Sequence, residues 1–101
     1  MIITTGTATD YSGAKQLVED HKVDGMILMR SYDEDLTLEY LTKQDIPVGL
    51  TGSCSDENVI QVDSNNNEAA RRMTSMLIDC GYKKFALILG ESTYRVNHER
   101  I

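Results

Sequence analysis

Apolar residues along the chain fall into short blocks separated by polar segments. Five of these blocks are almost uninterrupted runs of apolar and β-branched residues, which is typical of strands in a parallel sheet that are buried on both faces. The five predicted strands lie at residues 2–5, 24–29, 48–51, 59–62 and 85–89.

Two of the segments between these strands have apolar residues at helical spacing. The first helix follows a polar stretch in which Thr9, Asp10 or Ser12 can cap its amino end. The second follows Asp33, which can cap it in the same way, and Pro47 marks the point beyond which it cannot continue.

A third helix is predicted between the fourth and fifth strands. Asn65 is followed three positions later by Glu68, as in a capping box, and Gly81 stands where a helix commonly ends. Its apolar stripe, which we expect to be buried, consists of Ala69, Met73, Met76, Leu77 and Cys80.

Strands that alternate with helices predict an α/β fold: a three-layer parallel sheet with helices on both faces. In such sheets ligands bind at the carboxyl ends of the strands. The segments found there are Gly6-Thr7, Arg30-Ser31-Tyr32, Gly52-Ser53, Asp63-Ser64-Asn65 and Gly90-Glu91-Ser92. Their hydroxyl, amide, carboxylate and guanidinium groups suit hydrogen bonding to a neutral polyol better than bond cleavage.

Composition narrows the class of protein. The chain has 101 residues, enough for one small domain, and a net charge of −6, so these residues do not predict a nucleic-acid surface. Cys54 and Cys80 have neither metal-ligand spacing nor the density of a disulfide scaffold. They are therefore interpreted as reduced thiols of a cytoplasmic protein. A disulfide bond between them is the alternative. No run approaches the length of a membrane span.

Motifs for catalysis are absent from the sequence. There is no nucleophile elbow, no dinucleotide fingerprint and no phosphate-binding loop. His21 and His98 lack companions at metal-ligand spacing. We therefore expect no enzyme activity, no metal site and no cofactor.

Four motifs together resemble a known family. "VDGMIL", "IPVGLTG", "VDSNNNEAARRMTSMLIDCGYKKFALILG" and "NHERI" occur in this order along nearly the whole chain. They are similar to successive landmarks of the effector-binding domain of LacI/GalR-type bacterial transcription regulators. The resemblance implies a periplasmic-binding-protein-like fold of type I, here incomplete.

The resemblance also implies an organisation into two lobes. Residues 1–62 would form part of the first lobe, and residues 63–101 the start of the second. Asp63, Ser64 and Asn65 would form the hinge where the chain crosses over. Asn66 and Asn67 are equally well explained as residues of the first helical turn.

Ligand-binding residues follow from the same resemblance. The expected set is Arg30, Ser31, Tyr32, Asp63, Glu91 and Arg100. Arg100 would reach into the cleft between the lobes and donate to ligand hydroxyls; the alternative is a solvated arginine in the first turn of a helix. Tyr32 would stack on the apolar face of a sugar, or would be a surface ring.

Gly52 departs from the family pattern, because many relatives have an aspartate there. Repressors of the maltose type have a glycine instead, which makes a gluco-oligosaccharide the expected effector. DNA would be bound through a helix-turn-helix domain that is not among these residues, in a homodimer. The alternatives are a solute-binding protein of a sugar import system, or an enzyme on a related sheet.

The resemblance finally implies that a strand and a helix of the first lobe are missing. The missing strand would lie between residues 2–5 and 24–29, which leaves a gap in the sheet. We therefore expect the chain to be part of a larger protein and to be poorly stable alone.

Overall fold

The structure is a computed structural model that describes all 101 residues, and it contains three strands and four helices. The helices are α1 (Ser12–Glu19), α2 (Leu36–Thr42), α3 (Asn66–Asp79) and α4 (Arg95–Arg100). The strands are β1 (Met26–Leu28), β2 (Val48–Thr51) and β3 (Ile60–Val62). No helix combines the length and the apolar composition needed to cross a membrane.

The three strands form one parallel sheet in the order β1-β2-β3. Ile27 is paired with Gly49, and Gly49 with Ile60. Three of the five predicted strands are confirmed by this sheet. The predicted α/β class with a parallel sheet is confirmed with them.

The core lies between α2 and one face of the sheet. Leu41 of α2 is fully buried, and α1 adds Val18 at the margin of the cluster. The buried apolar residues of this cluster are Leu38, Leu41, Val48, Leu50 and Val59. Because successive side chains of a strand point to opposite faces, Val48 and Leu50 lie on the same covered face.

The opposite face of the sheet is open. Ile27 and Ile60, which are register partners of Gly49, are exposed over 76% and 69% of their surface. Among the strands only β2 has buried residues, Val48 and Leu50, and all three residues of β3 are exposed. The sequence predicted that both faces of each strand would be buried. Helices α1 and α2 supply the layer on one side only.

Two predicted strands are not formed. Residues 2–5 and 85–89 have apolar, β-branched sequences but no regular structure. A strand exists only where its backbone N–H and C=O groups meet those of a neighbour, and here neither segment lies beside one. A groove of about 900 Å³ separates residues 1–7 from β1. It lies where the family resemblance placed the missing strand.

Helix ends were predicted with mixed success. The side chain of Asn65 accepts a hydrogen bond from the Glu68 backbone N–H, as expected of a cap. Gly81 has a φ of +93° just after α3, a conformation that glycine adopts without strain. The prediction of Asp33 as the cap of α2 was wrong. Asp35 caps it, accepting from the Leu38 N–H through one oxygen and from the Tyr32 N–H through the other.

The apolar stripe of α3 does not reach the core. Met73 and Met76 are more than half exposed, so the expected burial of this stripe is not seen within residues 1–101. The molecule is elongated, with extents of 57 × 23 × 22 Å and a radius of gyration of 16.9 Å. A compact chain of this length has a radius of gyration of about 13 Å.

We expect the isolated 101-residue chain to unfold gradually on heating, because only nine residues are buried and one sheet face is open. Circular dichroism should show no sharp transition. Analytical ultracentrifugation on the same sample would establish that the chain is monomeric, since self-association could cover the open face. Cooperative unfolding of a monomer would contradict this prediction.

Candidate functional site

The carboxyl ends of all three strands lie at one edge of the sheet, because the strands are parallel. β1 leads into Arg30, Ser31 and Tyr32, β2 into Gly52 and Ser53, and β3 into residues 63–65. Helix α4 and the turn before it lie against these loops. The side chains form two groups. Ser53 lies between them: its carbonyl accepts from Ser31, and its hydroxyl donates to Glu99.

The first group, here called the aromatic cluster, consists of Arg30, Tyr32 and Tyr94. Tyr32 and Tyr94 form an isolated antiparallel bridge, and their ring centroids are 5.2 Å apart. The Arg30 Nη1 donates to the Tyr94 hydroxyl over 2.7 Å, and the Arg30 guanidinium lies 5.5 Å from the centre of the Tyr94 ring. Such contacts hold a cation over an aromatic face.

The electrostatic environment of Tyr32 favours its neutral form. Desolvation beside its neighbours raises the pKa of the Tyr32 phenol, and Tyr94 and Glu91 raise it further, against an opposing effect of Arg30. Tyr32 therefore keeps its hydroxyl proton at neutral pH. It presents a hydrogen-bonding group on an aromatic ring at the edge of the site.

Ser31 joins the ends of β1 and β2. Its side chain is buried, and its Oγ donates to the backbone carbonyl of Ser53 over 2.8 Å. The Ser31 carbonyl accepts from the backbone N–H of Arg95 at 3.4 Å. Ser31 is thus occupied by protein groups and serves as a structural link at this edge.

Gly52 has a backbone conformation that explains the residue found there. Its φ is +134°, a region that residues with a side chain rarely adopt. A Cβ atom at this position would lie 3.4 Å from the Ser31 Oγ. An aspartate at position 52 would therefore be strained in this structure.

The second group, here called the amide cluster, consists of Asp63, Asn66, Glu99 and Arg100. Asn66 is buried at its centre. Its Nδ2 donates to the Asp63 Oδ1 at 3.3 Å and to the Glu99 Oε2 at 3.2 Å, and also to the Ser64 carbonyl at 3.0 Å. Its Oδ1 accepts from the Nε and Nη2 of Arg100 at 3.2 and 3.1 Å.

Arg100 is the residue of the amide cluster with spare donors. A guanidinium carries five N–H groups, and the fork onto Asn66 uses two of them. Arg100 is exposed to solvent. Its remaining N–H groups are therefore available to an incoming acceptor such as a hydroxyl oxygen.

The remaining predicted residues lie at the margins. Asp63 accepts from the Ser64 N–H at 2.8 Å, and Asn65 caps α3. Asp63 thus binds the backbone that follows β3, and Asn65 binds the first turn of α3. The Glu91 carboxylate accepts from the Thr93 hydroxyl at 3.0 Å in the turn before α4.

Known proteins resemble this chain in sequence and in structure. It is 30% identical over 88 residues to the HTH-type transcriptional regulator MalR of Staphylococcus xylosus, covering 86% of this chain and 26% of that protein. It is 29% identical over 79 residues to catabolite control protein A of Staphylococcus aureus, covering 77% of this chain and 24% of that protein. No model of a protein family matches the chain.

Among solved structures, a protein from Bacillus cereus subsp. cytotoxis named as a LacI transcriptional regulator superposes with a TM-score of 0.88. The two are 31% identical, and the match covers 99% of this chain and 36% of that one. Over these residues the chain resembles regulators of the LacI family. It spans about a quarter of the length of the curated relatives it matches.

Several residues of the two clusters were missed by sequence reasoning. They are Ser53, Tyr94, Arg95, Asn66 and Glu99. Ser53 lay in a segment expected at the carboxyl edge but was not selected. Arg95 and Glu99 are four positions apart on α4, and that spacing, which puts two residues on one helix face, was the available signal.

Three of the five arginines of this chain lie at this edge. Arg30, Arg95 and Arg100 all lie there, although the whole chain has a net charge of −6. Glu99 and Asp63 stand beside them. The site therefore offers guanidinium donors and carboxylate acceptors side by side, an arrangement that suits a ligand with several hydroxyl groups.

In the longer protein that contains these residues, Asn66→Ala should lower the free energy of unfolding by about 1–3 kcal/mol, because it removes hydrogen bonds to the charged groups of Glu99 and Arg100. Asn67→Ala is the matched control, since Asn67 is exposed in the same turn; its effect should stay within about 0.5 kcal/mol. Urea unfolding measures both. Equal effects of the two substitutions would contradict the role given to Asn66.

Proposed function

We propose that this chain is part of the effector-binding region of a bacterial transcription regulator. A sugar would bind between the carboxyl edge of the sheet and α4. Binding would change the angle between residues 1–62 and 63–101, with a hinge at Asp63, Ser64 and Asn65, and would thereby change the DNA affinity of helix-turn-helix domains in a cytoplasmic homodimer.

The observation that carries this proposal is the position of Arg100. Its guanidinium is held by the Asn66 carbonyl oxygen and has further N–H groups facing solvent at the edge where the three strands end. A planar donor fixed in this way is suited to neighbouring hydroxyl oxygens of a sugar. The two curated relatives described above, one named a transcriptional regulator and the other a catabolite control protein, support the same function.

The aromatic cluster supports a sugar as the ligand class. Tyr32 and Tyr94 present rings at the same edge as the arginines, and an aromatic ring can pack against the apolar face of a pyranose. Arg30 and Glu91, at the ends of this cluster, complete the proposed ligand-binding set with Asp63. The resemblance to maltose-type repressors makes maltose the first ligand to test.

In the longer protein that contains these residues, Arg100→Ala should weaken maltose binding by more than about tenfold, because it removes a charged hydrogen-bond donor from the site. Isothermal titration calorimetry measures the affinity. Arg72→Ala, at an exposed position of α3, is the matched control and should bind maltose as the unchanged protein does. Equal affinity of the Arg100→Ala and unchanged proteins would remove Arg100 from the site.

The regulatory part of the proposal has a separate test. The longer protein that contains these residues should select DNA fragments from a random pool, and its affinity for these fragments should change when maltose is added. A protein that binds maltose and selects no DNA would instead be a solute-binding protein. In that case the coupling to DNA would be excluded.

A further inference from the structure

The Glu99 side chain joins three elements of the fold. Glu99 lies on α4, and its carboxylate is 27% exposed. Oε1 accepts from the hydroxyl of Ser53, which follows β2, and Oε2 accepts from the Nδ2 of Asn66, the first residue of α3. A single carboxylate thus connects the last turn of α4 to the sheet edge and to the start of α3.

Two donor groups face the Glu99 carboxylate. Ser53 and Asn66 both present donors to it, and an ionised carboxylate only accepts. The Nε of Arg95 donates to the Ser53 Oγ at 3.1 Å and lies 3.9 Å from the Glu99 Oε1. The Ser53 hydroxyl therefore accepts from Arg95 and donates to Glu99.

The Asn66 amide transmits this constraint to Arg100. Its NH₂ group faces oxygen atoms of Asp63, Ser64 and Glu99, so its carbonyl oxygen must point the other way. There it meets two N–H groups of Arg100. If the amide were reversed, its NH₂ group would face the guanidinium donors and its carbonyl oxygen would face the oxygens of Asp63, Ser64 and Glu99, so neither contact would pair a donor with an acceptor.

We propose that Glu99 is a positioning residue that fixes the orientation of the Asn66 amide and, through it, the guanidinium of Arg100. It does so from an anchor at Ser53, on the end of β2. Effector affinity would then depend on a residue that does not touch the effector. The link from Glu99 to Arg100 stands on the geometry alone, and the consequence for binding rests on the proposed function.

The first experiment needs no ligand. The longer protein that contains these residues is labelled with ¹⁵N. In it, the rate at which the Arg100 Nε–H exchanges with solvent reports how firmly Asn66 holds the guanidinium. Glu99→Ala should raise this rate by about tenfold, the effect expected from losing a hydrogen bond to a charged group. Glu39→Ala, which removes an exposed carboxylate paired with Lys43 on α2, should leave it unchanged.

Glu99→Gln separates positioning from general destabilisation. Its amide oxygen can accept from Asn66 while its NH₂ group donates to the Ser53 Oγ, so it should restore an Arg100 exchange rate within about twofold of the unchanged protein. If Glu99→Ala does not fold, Ser53→Ala takes its place, with an expected two- to threefold rise as one anchor is lost. An Arg100 rate unaffected in the folded variant tested would overturn the proposal.

Maltose calorimetry on the same proteins then tests the consequence for binding. Glu99→Ala should weaken binding by roughly tenfold, with Glu99→Gln close to the unchanged protein. If maltose binds but the Arg100 exchange rate ignores Glu99, the positioning role fails and the proposed function stands. If the exchange rate responds but no variant binds maltose, the positioning role stands and the proposed effector is wrong.

Discussion

Parallel pairing of β1, β2 and β3 is the constraint on which the site depends. Because parallel strands all run in one direction, the residues that follow them emerge at one edge, although they are far apart in the sequence. Ser31 and Ser53 meet there and hydrogen-bond through the Ser53 carbonyl. The same edge receives α4 from the far end of the chain. A sheet with an antiparallel strand in the middle would send one of these loops to the opposite edge and divide the site.

A buried polar group needs hydrogen-bond partners, and this need decides which way the Asn66 amide points. Asn66 has a carbonyl oxygen and an NH₂ group of nearly the same shape, and only the neighbouring oxygens of Asp63, Ser64 and Glu99 distinguish its two orientations. An amide buried without partners would cost about 1–3 kcal/mol, so the network holds one arrangement. The Arg100 guanidinium is held in the same arrangement, because two of its N–H groups donate to the Asn66 oxygen. The position of the site arginine is therefore determined by hydrogen bonds rather than by packing.

Local signals and long-range pairing explain what the sequence could predict. The cap at Asn65 and the helix end at Gly81 depend on a few adjacent residues, and both were found from the sequence. The segment at 85–89 has strand composition but no neighbour here, because pairing depends on distant residues that a local pattern does not contain. As aspartates, Asp33 and Asp35 are equally suited to cap a helix. Asp35 also accepts a hydrogen bond from the Tyr32 N–H, and this contact distinguishes the two. The carboxyl-edge rule located the residues that follow the strands, whereas Glu99 had only its four-residue spacing from Arg95 as a signal.

The contacts between residues 1–62 and the turn and helix at 91–101 are mainly polar. They include the Asp33–His98 pair, the Arg30–Tyr94 bond and the Ser53–Glu99 bond. Polar contacts of this kind exchange for water at a small net cost, whereas an apolar interface loses its whole hydrophobic contribution when it opens. Relative motion across such an interface is the default expectation. A ligand that supplies hydroxyl groups at this edge would replace hydrogen bonds with equivalent ones, and a modest difference in affinity between two arrangements would then shift their populations.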